Sequence, residues 1–201
     1  MVSRVRSVRC AWAGDDPTMV EYHDDEWGFP EGGDRRLFEK ICLEGFQSGL
    51  SWKTILDKRP AFRRAFADFE PEKVARFGSR QVDRLLLDPS IVRHRGKIES
   101  TSGNARRALD LLDEFGSIGS FVWSFEPPRR RRAVRPDELR HLVTSPESVA
   151  LSKELKRRGW TFVGPTTMYA FMQSMGLVND HVAGCPSRRR AEEARRNFRV
   201  R

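Results

Sequence analysis

The chain of 201 residues has only three cysteines, Cys10, Cys42 and Cys185. That number is too small, and odd, for a disulfide framework, so a reducing cytoplasm is the expected setting. No apolar run approaches the ~18 residues that a membrane helix needs. None follows the basic stretch 1–9 either, so neither a transmembrane segment nor a secretory signal is expected. Alternation of apolar and polar residues never persists long enough for a sheet strand, and no internal repeat is visible. What remains is a chain 38% hydrophobic and 32% charged, well above the composition of a disordered polymer and long enough to bury a real core.

The formal charge is +9 and the pI about 10.1, which invites a nucleic-acid reading. The excess is peripheral. Residues 1–9 contribute three positive charges, 127–136 five through Arg129, Arg130, Arg131, Arg132 and Arg135, and 186–201 a net five, so the rest of the chain is net −4. Two clusters inside the body point more directly to a polyanion: Arg93, Arg95, Lys97, Arg106 and Arg107 against Glu99, and Lys153, Lys156, Arg157 and Arg158 against Glu154. Ordinary solvated helix faces would give the same pattern.

Helical signals dominate. Asp16-Pro17 reads as a cap followed by proline at the first helical position, Asp34 as the cap of a helix carrying Leu37, Phe38, Ile41, Cys42 and Gly45, and Ser51 as the start of a third helix. Short helices are expected after Pro60, Pro71 and Ser79, and a longer one over 95–112. Further helices are expected near 117–125, from Ser145 to Gly159, and over 166–177. Residues 127–144 read as a surface loop and those after Cys185 as a loose tail. The expected architecture is all-α: a basic arm at 1–9, one unit of one or two helical lobes at 10–185, and a basic tail at 186–201.

Three constellations carry chemistry. The turn Phe162–Thr167 joins two helices through Gly164 and Pro165; amides exposed at the helix start would hold a phosphate without reading sequence, although a plain helix–helix corner needs the same residues. Cys10, His23, His181 and Cys185 form a candidate Cys₂His₂ set, with His181 and Cys185 one helical turn apart; stray cysteines and histidines are the alternative. Glu44 falls at the edge of the apolar stripe, while Glu39 and Lys40 face away. Near it in sequence are Tyr22, Trp12, Trp27 and Trp52, which could enclose a flat, electron-poor heterocycle or form an ordinary aromatic core.

These residues resemble DNA-3-methyladenine glycosylase I. The resemblance is carried by Cys10–Trp12, Tyr22–Gly28, Ile41–Gly45, Gly49–Trp52, Ile91–Lys97, Gly103–Arg106, Phe121–Ser124, Phe162–Pro165 and Gly176–Cys185, in order along the chain. It implies a compact helix-hairpin-helix glycosylase fold and a structural zinc ion on Cys10, His23, His181 and Cys185 that clamps the N- and C-terminal segments, with no organic cofactor. It implies excision of 3-methyladenine from double-stranded DNA by base flipping. Glu44 and Tyr22 would hydrogen-bond the flipped base, Trp52 would stack on it and Trp12 would wall the pocket. Val163, Gly164 and Thr166 would hold the backbone, and Gly49 and Leu50 would approach the gap in the duplex. No membrane or obligate protein partner is implied.

The chain departs from the family pattern at Met19 and Phe46, where a pocket tyrosine and a glutamine are expected, and both changes are expected to remove a polar group near the pocket. Asn179 stands where many helix-hairpin-helix glycosylases have an aspartate, so no strong carboxylate is expected to assist the attacking water. The competing reading is a non-catalytic, zinc-stabilised DNA-binding protein of the same fold.

Overall fold

The computed structural model describes residues 9–130 and 132–200; the rest of the expected N-terminal arm lies outside them. Eleven α-helices and two short 3₁₀ turns make up the described residues, with no strand and one isolated bridge, between Val134 and Val182. The all-α expectation holds. No helix among the described residues is long and apolar enough to cross a membrane.

Local chemistry sets most helix boundaries. α1 (Pro17–Asp25) starts where the Asp16 side chain accepts from the Thr18 and Met19 amides. α2 (Asp34–Gln47) is capped by Gly33, not by Asp34. The Asp34 carboxylate instead accepts from the Ile118 and Gly119 amides, so it caps α7 (Ile118–Trp123) across the fold. α3 (Trp52–Ala65) is capped by Ser51 and runs through Pro60, where the sequence suggested a new helix. Proline deletes one helical hydrogen bond, and burial of Ile55, Leu56, Ala61 and Phe62 on both sides of it holds the helix together.

Next come α4 (Pro71–Val74), α5 (Ser79–Leu86), the long α6 (Arg95–Phe115), α7, and α8 (Pro136–Leu139), which interrupts the expected loop. α9 (Pro146–Arg157) and α10 (Pro165–Ser174) form the hairpin. α11 (Pro186–Asn197) replaces the loose tail expected after Cys185. It docks through buried Ala191 and through Arg195, which reaches Glu126 and the Leu177 carbonyl.

α2 is the central helix. Every residue from Leu37 to Phe46 is buried, because α3, α6, α7 and α10 surround it. Glu39 and Lys40 therefore do not face away from the core. Glu39 is bound by Arg63 at 2.8 Å, and Lys40 by Glu44 and Tyr22. Buried charges persist only when paired in this way. A second, smaller apolar cluster of Met19, Tyr22, Trp27, Leu56 and Val182 joins the N-terminal segment to the segment after α10. Their close approach requires Gly176, whose φ is +75° and whose Cβ, if present, would lie 2.5 Å from the Phe29 carbonyl carbon.

Candidate base-binding cavity and metal site

Against the smaller apolar cluster lies a cavity of about 700 Å³, lined by Trp12, Met19, Tyr22, Glu44, Gln47 and Trp52 among others. It is large enough for a purine. α1 supplies Tyr22, α2 supplies Glu44 and α3 supplies Trp52. The Tyr22 and Trp52 rings are 5.1 Å apart and tilted by 42°, and Trp12 meets Tyr22 edge-on at 6.2 Å. All four residues expected to contact a base therefore converge. Burial, with Glu44 and Glu26 nearby, pushes the Tyr22 phenol well above its ordinary range, so it stays a neutral hydroxyl.

Lys40, which the sequence suggested faces away, does not line the cavity itself but lies behind three residues that do, Glu44, Tyr22 and Trp52. It stands one helical turn before Glu44, and its Nζ lies 2.9 Å from Glu44 Oε1 and donates to the Tyr22 hydroxyl at 2.8 Å. Its position four residues before a carboxylate was visible in the sequence, but the amphipathic reading of α2 pointed it outward.

The two departures from the family pattern separate. Met19 lines the cavity. Phe46 does not; it packs on Phe62 at 4.6 Å and Phe66 at 5.8 Å in the main core. The expected loss of a polar group beside the pocket at position 46 is thus not what the structure contains, and Gln47 faces the cavity instead. Asn179 and Asp180 lie outside the cavity lining. Asn179 donates to the Arg188 carbonyl, and the fully buried Asp180 accepts from Tyr169 at 2.7 Å and from Gln173.

Near the cavity are two surface turns. Gly49 has φ +82° and Leu50 is 41% exposed. Lys97 fixes the approach to this turn by donating to the Phe46 and Ser48 carbonyls at 2.8 and 2.6 Å. The hairpin turn lies further along the same face of α6, where Asn104, two helical turns after Lys97, holds the Thr161 amide and carbonyl. Gly164 caps α10 without a side chain, and Pro165 occupies the first helical position, so the next amides are available to an anion. Thr166 is exposed there, whereas the Val163 side chain is buried. Of the basic residues before this turn, Arg157 pairs with Glu154, and Arg158 pairs with Glu154 and Glu114; Lys153 and Lys156 are exposed.

Cys10, His23, His181 and Cys185 meet in the interior, with their ligand atoms all within 4.8 Å of one another. His23 Nε2 and His181 Nδ1 are 3.2 Å apart; Cys185 Sγ lies 3.6 Å from each of them, and Cys10 Sγ 3.8 Å from His181 Nδ1. Tetrahedral zinc with ordinary bond lengths would require about 3.3 Å between nitrogens and 3.6 Å between nitrogen and sulfur. The outer nitrogens are oriented as well: His23 Nδ1 is 2.6 Å from Asp24 and His181 Nε2 is 2.8 Å from the Trp27 carbonyl. Arg9 bonds Asp24 and holds its carboxyl well below the usual carboxylate range. These four residues could hold a metal ion.

A family model described as methyladenine glycosylase matches residues 12–189. The chain is 49% identical over 179 residues to DNA-3-methyladenine glycosylase 1 of Escherichia coli strain K12, covering 88% of this chain and 95% of that protein. It is 46% identical to the DNA-3-methyladenine glycosylase of Haemophilus influenzae, covering 90% and 97%. The solved structure of 3-methyladenine DNA glycosylase I from Staphylococcus aureus, a study of 3-methyladenine recognition, superposes with a TM-score of 0.85 at 37% identity, covering 90% and 96%. With a family model matching residues 12–189 and relatives up to 49% identical that span about nine-tenths of it, this chain belongs to the methyladenine glycosylase family.

Proposed function

We propose that this protein is a monofunctional DNA glycosylase that hydrolyses the N-glycosidic bond of 3-methyladenine in alkylated double-stranded DNA, in the cytoplasm. The observation that carries the reading is the convergence of Tyr22, Glu44, Trp52 and Trp12 on one purine-sized cavity in a chain of this family.

Alkylation at N3 makes adenine cationic and its glycosidic bond labile, so little acid catalysis of the leaving group is needed. The work is extraction and orientation. Flipping costs a few kcal/mol, less for a damaged base. Stacking on Trp52, with Trp12 as the adjoining wall, recovers about 1–3 kcal/mol. Tyr22 and Glu44 hydrogen-bond the base edge, which fixes its orientation. The backbone of the turn at Val163, Gly164 and Thr166 and the Lys153–Lys156 face hold the DNA backbone, while Gly49 and Leu50 approach the vacated gap. Asn179 and Asp180 lie away from the cavity, which supports hydrolysis without a strong carboxylate base and confines the enzyme to unstable lesions.

A zinc ion on Cys10, His23, His181 and Cys185 would be structural, since four protein ligands leave no open position. Its contribution is to tie the segment bearing Trp12 and Tyr22 to the segment after α10. Incubation with methylated duplex DNA and chromatography of the freed bases tests the function. Release of 3-methyladenine, with no borohydride-trappable adduct, is expected. DNA binding without release would instead favour the non-catalytic binder.

A further inference from the structure

One side chain touches all three principal groups assigned to the base. Lys40 is 5% exposed. Its Nζ lies 2.9 Å from Glu44 Oε1, 2.8 Å from the Tyr22 hydroxyl and 3.3 Å from the centroid of the Trp52 ring. The carboxylate, the phenol and the indole are the features that would attract an alkylated purine, and each already has a cation on it. The other charged groups near Lys40 balance one another: Glu26, just after α1, is bound by Arg59 on α3 through both oxygens at 2.6 Å.

We propose that Lys40 is a specificity-determining residue of the base site, a resident cation that offsets Glu44 so that charged Lys40 favours neutral bases and neutral Lys40 favours the alkylated cation. The inference rests on the reading of this cavity as the base site. A carboxylate within 3 Å of an ammonium presents little net charge to a third group, and while that ammonium is charged the indole it sits on attracts a second cation less. The Tyr22 oxygen accepts from Lys40, which leaves its own O–H free to donate to an acceptor on the base. The charge balance of binding follows: as the cationic base enters, the Lys40 ammonium gives its proton to solvent, and the net charge around Glu44 is conserved.

The exchange is accessible near neutral pH. Burial pulls Lys40 down to about 8, against the raising effects of Glu44 and Glu26 and with a further lowering from Arg59. Tyr22 does not titrate in this range, because burial holds its phenol up.

The test is single-turnover release of 3-methyladenine from methylated duplex DNA between pH 6.5 and 9.5, corrected for spontaneous loss, for the wild type, Lys40→Met and Lys40→Arg. A parallel arm measures the affinity of each for a duplex carrying the neutral isostere with carbon in place of N3. The wild-type rate should rise about tenfold through pH 8 and then level, the ratio set by roughly 1.4 kcal/mol of charge preference. Lys40→Met should be independent of pH, at or above that plateau, and Lys40→Arg independent of pH and low. Affinity for the neutral isostere should not rise with pH. If Lys40→Met does not fold, the wild-type profile and Lys40→Gln answer the same question. Release with the same pH profile in wild type and Lys40→Met, or a flat wild-type profile, would overturn this inference alone. No release by any form at any pH would overturn the base-excision reading and this inference with it.

Discussion

Replacing Cys10 by serine tests whether the Cys₂His₂ cluster is a metal clamp. Cys10 lies 171 positions from His181 in sequence but against it in space, so a metal bound by both closes almost the whole chain into a loop. The chain-entropy relation for a cross-link of that length gives about 5 kcal/mol. For a chain of this size that corresponds to a drop in Tm of about 10–20 °C, with residual three-ligand binding pulling the result toward the lower end. The assay pairs metal content by mass spectrometry with thermal melting, for wild type, chelated wild type and Cys10→Ser. Metal and stability should fall together. Below its melting temperature Cys10→Ser should still release base, because a closed site takes no part in the chemistry. A metal-free wild type that melts where the metal-loaded protein does would refute the clamp.

Three other perturbations follow from the same contacts. Gly176→Ala places a Cβ 2.5 Å from the Phe29–Pro30 backbone at positive φ and should cost about 3 kcal/mol or more in urea unfolding; a neutral result would contradict the close crossing. Lys40 binds its proton less tightly in the folded protein than in the unfolded chain, so stability should rise with pH between about 8 and 10. The gain, bounded at about 3 kcal/mol, should vanish in Lys40→Met; equal slopes in the two proteins would refute it. Glu44→Gln removes the charged acceptor for the base and leaves the Lys40 ammonium without a counter-charge, so excision should fall at least about tenfold and stability by about 2–4 kcal/mol. Glu44→Gln combined with Lys40→Met should recover stability but not excision, and recovery of both would contradict the role of Glu44.

What could be read in the sequence was whatever depends on local chemistry. Asp16-Pro17, Ser51 and Ser145 start helices because their side chains satisfy amides two or three residues on, and no tertiary contact is needed to see that. The cysteine and histidine set was legible because such donors are few in this chain. Lys40 and Glu39 were misplaced because α2 is enclosed by neighbours on all sides, so its polar residues are partnered inside the protein where an amphipathic reading puts them in water. Phe46 was expected near the pocket from the family pattern, yet it is two residues after Glu44 and so points about 200° away from it on the helix, which sends it into the main core. α11 was missed because a chain segment with seven arginines gives little hydrophobic signal; its docking depends on Ala191 and on Arg195 reaching Glu126 and the Leu177 carbonyl.

The most direct test of the base-binding cavity is single-turnover excision of 3-methyladenine by Trp52→Ala, with folding verified by its melting curve. Loss of the stacking face should slow release at least about fivefold, the lower bound of its 1–3 kcal/mol. A folded Trp52→Ala that releases the base at the wild-type rate would contradict the account.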